Sequence, residues 1–115
     1  MTLDWVVHKF GGTSVGSSSC IRKCIEIIRP LVEKNRVAMV VSAMGGKPKV
    51  TDLLLQSVRH AAENDMAAAS EKLQAIRIKH IDCVNELFGE GSDSEGVVAT
   101  LLKVIDKDDD NNNSK

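Results

Sequence analysis

The fold is decided by one short stretch of sequence, Trp5-Val6-Val7-His8-Lys9-Phe10-Gly11-Gly12-Thr13-Ser14-Val15-Gly16. Its first six residues are rich in β-branched and aromatic side chains and stop at two glycines, which is typical of a buried strand that ends in a turn. Serines follow, and apolar residues then recur at helical spacing from Ile21 to Ile28, which predicts a helix beginning near Ser18. At Pro30 the pattern leaves two alternatives open: one kinked helix, or a helix that ends and restarts there.

The same order of elements recurs further along the chain. Residues 36–43 form a near-continuous apolar run, which is typical of a strand covered on both faces of a parallel sheet. Residues 45–49 have a loop composition, and a helix follows from Val50, with Thr51 or Asp52 available as its cap. We therefore predict an α/β fold, a partial three-layer α/β/α sandwich with a mainly parallel sheet. Both glycine-bearing loops should lie at the carboxyl ends of the strands.

The second half of the chain is predicted to be helical and then disordered. Residues 67–87 are predicted to form an amphipathic helix that Gly89 and Gly91 end, and a shorter helix is predicted over residues 97–105. Residues 106–115 are polar and of low complexity, so we expect them to be disordered. The predicted organisation is one domain over residues 1–105, followed by a polar tail over residues 106–115.

Composition excludes several classes of function. The 15 basic and 16 acidic residues nearly cancel, so we expect no nucleic-acid partner and no membrane partner. The apolar runs are far shorter than the roughly 20 residues that cross a bilayer. Three cysteines in 115 residues indicate free, packed thiols in a reducing compartment. With no targeting signal visible, we expect a cytoplasmic protein, and we predict no site at which protein side chains alone hold a metal.

An anion site is predicted at the first turn. Lys9 stands at the end of the first strand, and Gly11 and Gly12 let the backbone approach a ligand closely. Backbone N–H groups and the start of a helix favour negative charge at the same point. Gly11 and Gly16 have the spacing of a Walker A loop, but Ser17 stands where that motif requires lysine, which excludes a P-loop NTPase.

Residues 9–15, Lys-Phe-Gly-Gly-Thr-Ser-Val, resemble the opening signature of the aspartate kinases, which belong to the amino acid kinase family. Residues 40–45, Val-Val-Ser-Ala-Met-Gly, and residues 49–54, Lys-Val-Thr-Asp-Leu-Leu, resemble the second-strand motif of that family and the helix start behind it. By resemblance, the residues that hold the ATP phosphates are Lys9, which is also the catalytic residue, Phe10, Gly11 and Gly12, with Ser14 close by. The residues that contact the substrate L-aspartate are Ser42, Ala43 and Thr51.

The resemblance implies a phosphoryl transfer that uses ATP and Mg²⁺. The γ-phosphoryl group would pass to the side-chain carboxylate of L-aspartate and give 4-phospho-L-aspartate, the first step of lysine, threonine and methionine biosynthesis. Such a reaction needs positioning and charge neutralisation and no protein nucleophile.

The family domain is longer than this chain and includes a downstream Gly-Glu motif and an adenine site, neither of which we find. We therefore expect an N-terminal fragment of an aspartate kinase that has no kinase activity in isolation. Two alternatives remain open. One is another amino acid kinase. The other is a non-catalytic module that binds phosphate, or that associates with itself or with a full-length kinase through an open sheet edge and exposed helices.

Overall fold

The structure, a computed structural model, describes residues 3–89 and 96–104 of the chain. The elements follow in the order β1 (Trp5–Phe10), α1 (Ser18–Val32), β2 (Arg36–Val41), α2 (Val50–Ala62), α3 (Met66–Phe88) and α4 (residues 96–104). The type and order of the predicted strands and helices are confirmed. Gly91, the end of the last predicted helix at residue 105 and the predicted tail over residues 106–115 lie outside the described residues, as does the predicted domain boundary.

The two strands form a parallel sheet. Their register runs from Trp5 opposite Arg36 to Phe10 opposite Val41. A parallel pair needs a crossover connection, which α1 supplies. The predicted α/β fold with a parallel sheet is therefore confirmed. Because both strands end at the same edge of the sheet, the loops that follow Phe10 and Val41 start side by side, as predicted.

A small core joins β1 to α1. It consists of four buried residues with three partly buried ones packed against them: Phe10, Val15, Cys24 and Ile28, then Ile21, Leu31 and Val37. Cys24 and Ile28 are four residues apart and so share one helix face. Side chains alternate along a strand, which places Phe10 on the face that meets α1 and Lys9 on the opposite face.

The prediction that β2 is covered on both faces is wrong for the described part of the chain. Val40 and Val41 point to opposite faces of the sheet, and each is more than half exposed, at 54% and 59%. The physical reason is the width of the sheet. With two strands and one helix packed on it, only part of one face is covered.

The helix starts are fixed by different means. The side chain of Ser17 caps α1 by accepting a hydrogen bond from the Cys20 N–H. α1 then continues through Pro30 to Val32, so the alternative of a helix that ends and restarts is excluded. The cap predicted for α2 was wrong. α2 begins at Val50, which places Thr51 inside its first turn.

The chain divides into two compact units, and the boundary lies between Leu73 and Gln74. The first unit contains both strands, α1, α2 and both loops. In the second unit, Cys83 is buried, and α3 ends where Gly89 takes a left-handed φ of 74°, which confirms the predicted glycine stop. Among the described helices, none is both long and apolar enough to cross a bilayer.

Candidate functional site

The loop after β1, residues 11–17, packs against the core through Val15. We call it the first loop. The Val15 N–H donates to the Gly11 carbonyl at 3.2 Å, and the buried Val15 side chain anchors the loop in the core cluster. The Cys24 thiol also donates to the Ser14 carbonyl at 3.3 Å. The side chains of Thr13 and Ser14 are exposed, so this part of the first loop faces solvent.

Lys9 brings a positive charge to the start of the first loop. Its side chain is exposed, and its Nζ lies 3.6 Å from the point where a Cβ on Gly11 would be. The ammonium group therefore lies beside the Gly11 backbone. α1 begins at Ser18, immediately after the loop, and the amino end of a helix attracts anions. The lysine and the glycine backbone thus lie together, with the start of α1 at the other end of the loop, and the anion site stays a prediction.

The loop after β2, residues 42–49, is the second loop, and it is tied down at both ends. The Ser42 N–H donates to the Phe10 carbonyl at 3.1 Å, which extends the pairing of the strands into the loop. The Val50 N–H donates to the Met44 carbonyl at 3.0 Å, which fixes the start of α2 against the loop. The side chain of Ser42 is exposed at one end of the loop, and that of Thr51 is exposed just beyond the other.

The two loops touch through their backbones. The Gly45 N–H donates to the Gly12 carbonyl at 2.9 Å. A Cβ built on Gly12 would lie 3.6 Å from the Ser42 Oγ and 3.4 Å from the Ala43 carbonyl oxygen. The structure therefore brings together Gly12, which was predicted to bind phosphate, and Ser42 and Ala43, which were predicted to bind the amino acid.

Of the remaining predicted residues, Lys9 lies beside Gly11, the neighbour of Gly12 in the chain. Thr51 lies in the first turn of α2, next to Val50, whose N–H donates to the Met44 carbonyl of the second loop. Phe10 differs from them because its ring is only 7% exposed and belongs to the core. Its predicted role at the nucleotide can therefore be played only by its backbone.

The charge of the loops contrasts with that of the whole chain. Residues 9–17 and 42–51 include three lysines, Lys9, Lys47 and Lys49, and no Asp or Glu, whereas the chain has a net charge of −1. Lys47 and Lys49 are exposed. A local excess of positive charge attracts anionic ligands to this edge of the sheet.

Sequence reasoning missed the two glycines that make the contact between the loops so close. A Cβ on Gly45 would lie 2.5 Å from the Gly12 carbonyl oxygen, and one on Gly16 would lie 3.2 Å from the Gly46 nitrogen. Gly46 needs glycine for another reason, its φ of 80°. The composition of residues 45–49 showed only a loop. The available signal was the presence of a glycine pair in each loop, which is typical of backbones that approach closely.

Comparison with known proteins identifies the family to which these loops belong. The sequence profile of the amino acid kinase family matches residues 4–114. The chain is 38% identical over 99 residues to bifunctional aspartokinase/homoserine dehydrogenase 2, chloroplastic, of Arabidopsis thaliana, which covers 84% of this chain and 10% of that protein. It is 42% identical over 82 residues to the aspartokinase of Chlamydia muridarum, which covers 71% of this chain and 16% of that protein.

A third relative is matched over nearly the whole chain. The aspartokinase of Rickettsia felis is 32% identical over 120 aligned positions, which cover 96% of this chain and 27% of that protein. The chain thus spans from a tenth to about a quarter of the length of these three relatives. The resemblance to aspartate kinases drawn from residues 9–15 and 40–54 is confirmed. The chain belongs to the amino acid kinase family.

Proposed function

We propose that the chain supplies the phosphate-binding and amino-acid-binding loops of an aspartate kinase. The single observation that carries this proposal is the contact between the two loops, where Gly12 lies against Ser42 and Ala43. A kinase must bring a phosphoryl donor and its acceptor to one point, and each loop has groups suited to one of them.

The first loop suits the phosphates of ATP. The Lys9 ammonium would offset their charge, and the backbone N–H groups around Gly11 and Gly12, in the loop before α1, can donate to phosphate oxygens. Mg²⁺ would enter bound to the nucleotide, since this ion commonly keeps several waters and takes its other ligands from substrate phosphates. Mg²⁺ would offset negative charge on the transferring group.

The second loop suits an amino acid. The hydroxyl groups of Ser42 and Thr51 can donate to a carboxylate and accept from an ammonium group, and both are exposed beside the loop. The Ala43 carbonyl, near Gly12, is a further acceptor for an ammonium group. Lys47 and Lys49 add positive charge for a substrate that has two carboxylates.

The reaction then needs no nucleophile from the protein. A side-chain carboxylate oxygen of L-aspartate attacks the γ-phosphorus, the bond from that phosphorus to the β,γ-bridging oxygen breaks, and ADP leaves with its electron pair. The products are 4-phospho-L-aspartate and ADP. Lys9 and the amides of the first loop stabilise the charge that develops on the phosphoryl oxygens.

The pathway, the cytoplasmic location and the association of the chain with itself or with a full-length kinase stay predictions.

Isothermal titration calorimetry on the purified chain tests the proposal. We expect binding of magnesium ADP, binding of L-aspartate, and weaker binding of L-glutamate, the acceptor of a sibling kinase. Lys9→Gln should weaken the binding of magnesium ADP, and Ser42→Ala should weaken the binding of L-aspartate. Absence of binding for both ligands would contradict the proposal, and tighter binding of L-glutamate than of L-aspartate would favour another amino acid kinase.

A further inference from the structure

Gly45 belongs to neither predicted ligand set, yet it makes the closest contact between the two loops. Its N–H donates to the Gly12 carbonyl at 2.9 Å, and the gap is too narrow for any side chain. A Cβ there would lie 2.5 Å from that carbonyl oxygen, 2.6 Å from the carbonyl carbon and 3.1 Å from the Thr13 nitrogen. All three atoms are backbone, so no flexible side chain can move aside to make room.

Gly16 reinforces this junction from the far end of the first loop. A Cβ on Gly16 would lie 3.2 Å from the Gly46 nitrogen and 3.3 Å from both the Gly45 carbonyl carbon and the Gly12 oxygen. The backbones of the two loops therefore meet along Gly12 and Gly16 on one side and along Gly45 and Gly46 on the other. Gly45 is buried, although its loop neighbours Gly46 and Ala43 are exposed.

Backbone contacts of this kind transmit displacement directly. Moving Gly12 toward a ligand moves the acceptor of the Gly45 N–H, and Gly45 is separated from Ser42 by only two residues. Ser42 is also bonded to the Phe10 carbonyl, so the second loop is attached to the first loop and to the strand before it. The two loops cannot adjust independently without breaking one of these hydrogen bonds.

We infer that Gly45 is a positioning residue that couples the two loops, so that a phosphate ligand on the first loop raises the affinity of the second loop for the amino acid. This inference rests on the proposed function. By thermodynamic linkage the effect is reciprocal: the amino acid raises the affinity for the nucleotide by the same factor. Gly45 itself contacts neither ligand.

The test measures the coupling rather than activity. The Kd of L-aspartate is measured by calorimetry on the full chain with and without saturating magnesium ADP, and the Kd of magnesium ADP is measured with and without saturating L-aspartate. In the wild type we expect each ligand to tighten the other by about fivefold or more. In Gly45→Ala the two ligands should bind independently, with a coupling factor near one.

Two further variants complete the design. Gly96→Ala is the matched control, because nothing lies within 4 Å of the added methyl group, and it should keep the full coupling factor. Gly16→Ala requires only a shift of a few tenths of an ångström and serves if Gly45→Ala does not fold; it should reduce the coupling factor without abolishing binding. A loss of stability alone would lower both apparent affinities and raise the apparent coupling factor, because each ligand would shift the chain toward the folded state, so it cannot imitate a loss of coupling.

The outcomes separate this inference from the proposed function. Coupled binding in the wild type and in Gly96→Ala, with coupling lost in Gly45→Ala, supports the inference. Binding of both ligands to the wild type with no coupling overturns the inference and leaves the proposed function in place. Failure of the wild type to bind either ligand overturns the proposed function, and the inference with it.

Discussion

The Ser42 N–H donates to the Phe10 carbonyl at 3.1 Å, one residue beyond the last pair of the parallel strands. Phe10 is fixed by its buried ring, so this bond positions the start of the second loop relative to the core. The exposed Ser42 hydroxyl therefore has a defined place next to Gly12. The site depends on one backbone hydrogen bond between a core residue, Phe10, and a loop residue, Ser42.

Removing the charge of Lys9 should weaken nucleotide binding. In Lys9→Gln we expect the Kd of magnesium ADP to rise about 10- to 100-fold, because hydrogen bonds to charged groups contribute about 1.5–3 kcal/mol. Lys9 is exposed, so the free energy of unfolding should change little. Calorimetry at low and at physiological salt measures the effect, which should shrink as salt screens the charge.

The controls for Lys9 separate charge from position. Lys9→Arg keeps the charge and should bind more tightly than Lys9→Gln. Lys23→Gln removes a charge from an exposed lysine on α1 and should leave the Kd unchanged. Equal weakening in Lys9→Gln and Lys23→Gln would show that only the net charge of the chain matters.

Removing the Ser42 hydroxyl should weaken the binding of the amino acid and leave the binding of the nucleotide unchanged. We expect the Kd of L-aspartate to rise about 2- to 10-fold in Ser42→Ala, since one neutral hydrogen bond contributes about 0.5–1.5 kcal/mol. Ser70→Ala, at an exposed position on α3, is the matched control. If L-aspartate binds Ser42→Ala and the wild type equally well, Ser42 does not contact it.

The packing of α1 can be tested with two isoleucines on the same helix. Ile28 is 8% exposed and belongs to the core, whereas Ile25 is 43% exposed. Ile28→Val should lower the free energy of unfolding by about 0.5–1.5 kcal/mol, because it removes a buried methylene. Ile25→Val should stay within about 0.5 kcal/mol of the wild type. Urea denaturation measures both, and equal losses would contradict the burial of Ile28.

Cys83 should make stability fall at alkaline pH. Burial raises the pKa of the Cys83 thiol above its ordinary value of 9.0, with the Glu86 carboxylate adding to the shift and Lys79 opposing it. The unfolded chain therefore loses this proton first as pH rises past about 9, which favours unfolding until the folded-state pKa is also passed. Below that window the thiol is protonated in both states and contributes no pH dependence.

Thermal unfolding of Cys83→Ala between pH 8 and 10 measures this contribution. The decline of Tm with pH should be shallower in Cys83→Ala than in the wild type, and Ile25→Val, which changes no titratable group, should keep the wild-type slope. The chain has no tyrosine, which removes one other source of alkaline titration. Identical slopes in Cys83→Ala and the wild type would contradict the raised pKa.

The elements of the fold follow from local sequence, and the site follows only in part. The apolar runs before Gly11 and Ser42 and the helical spacing from Ile21 to Ile28 predicted β1, β2 and α1 because each pattern reflects the period of one element. The cap of α2 was misplaced: the N-cap position is Lys49, which makes no side-chain cap hydrogen bond, and the Val50 N–H donates to the Met44 carbonyl. Local sequence carries no record of such a backbone partner.

The exposure of Val40 and the contact between Gly45 and Gly12 also escaped prediction. Hydrophobicity along β2 indicated a buried strand, but burial depends on which layers cover the sheet, and sequence periodicity does not count them. The need for glycine at residue 45 arises from a carbonyl more than thirty residues earlier in the chain. Only the assembled structure shows that distance.

The most direct test of the central claim is a titration of the ¹⁵N-labelled chain followed by two-dimensional NMR. If the two loops form one site for a phosphate donor and an amino-acid acceptor, magnesium ADP should shift the amides of Gly11 and Gly12, and L-aspartate should shift those of Ser42 and Ala43. The amides of α4, residues 96–104, should stay in place with both ligands. Shifts confined to residues outside both loops, or no shift with either ligand, would contradict the account.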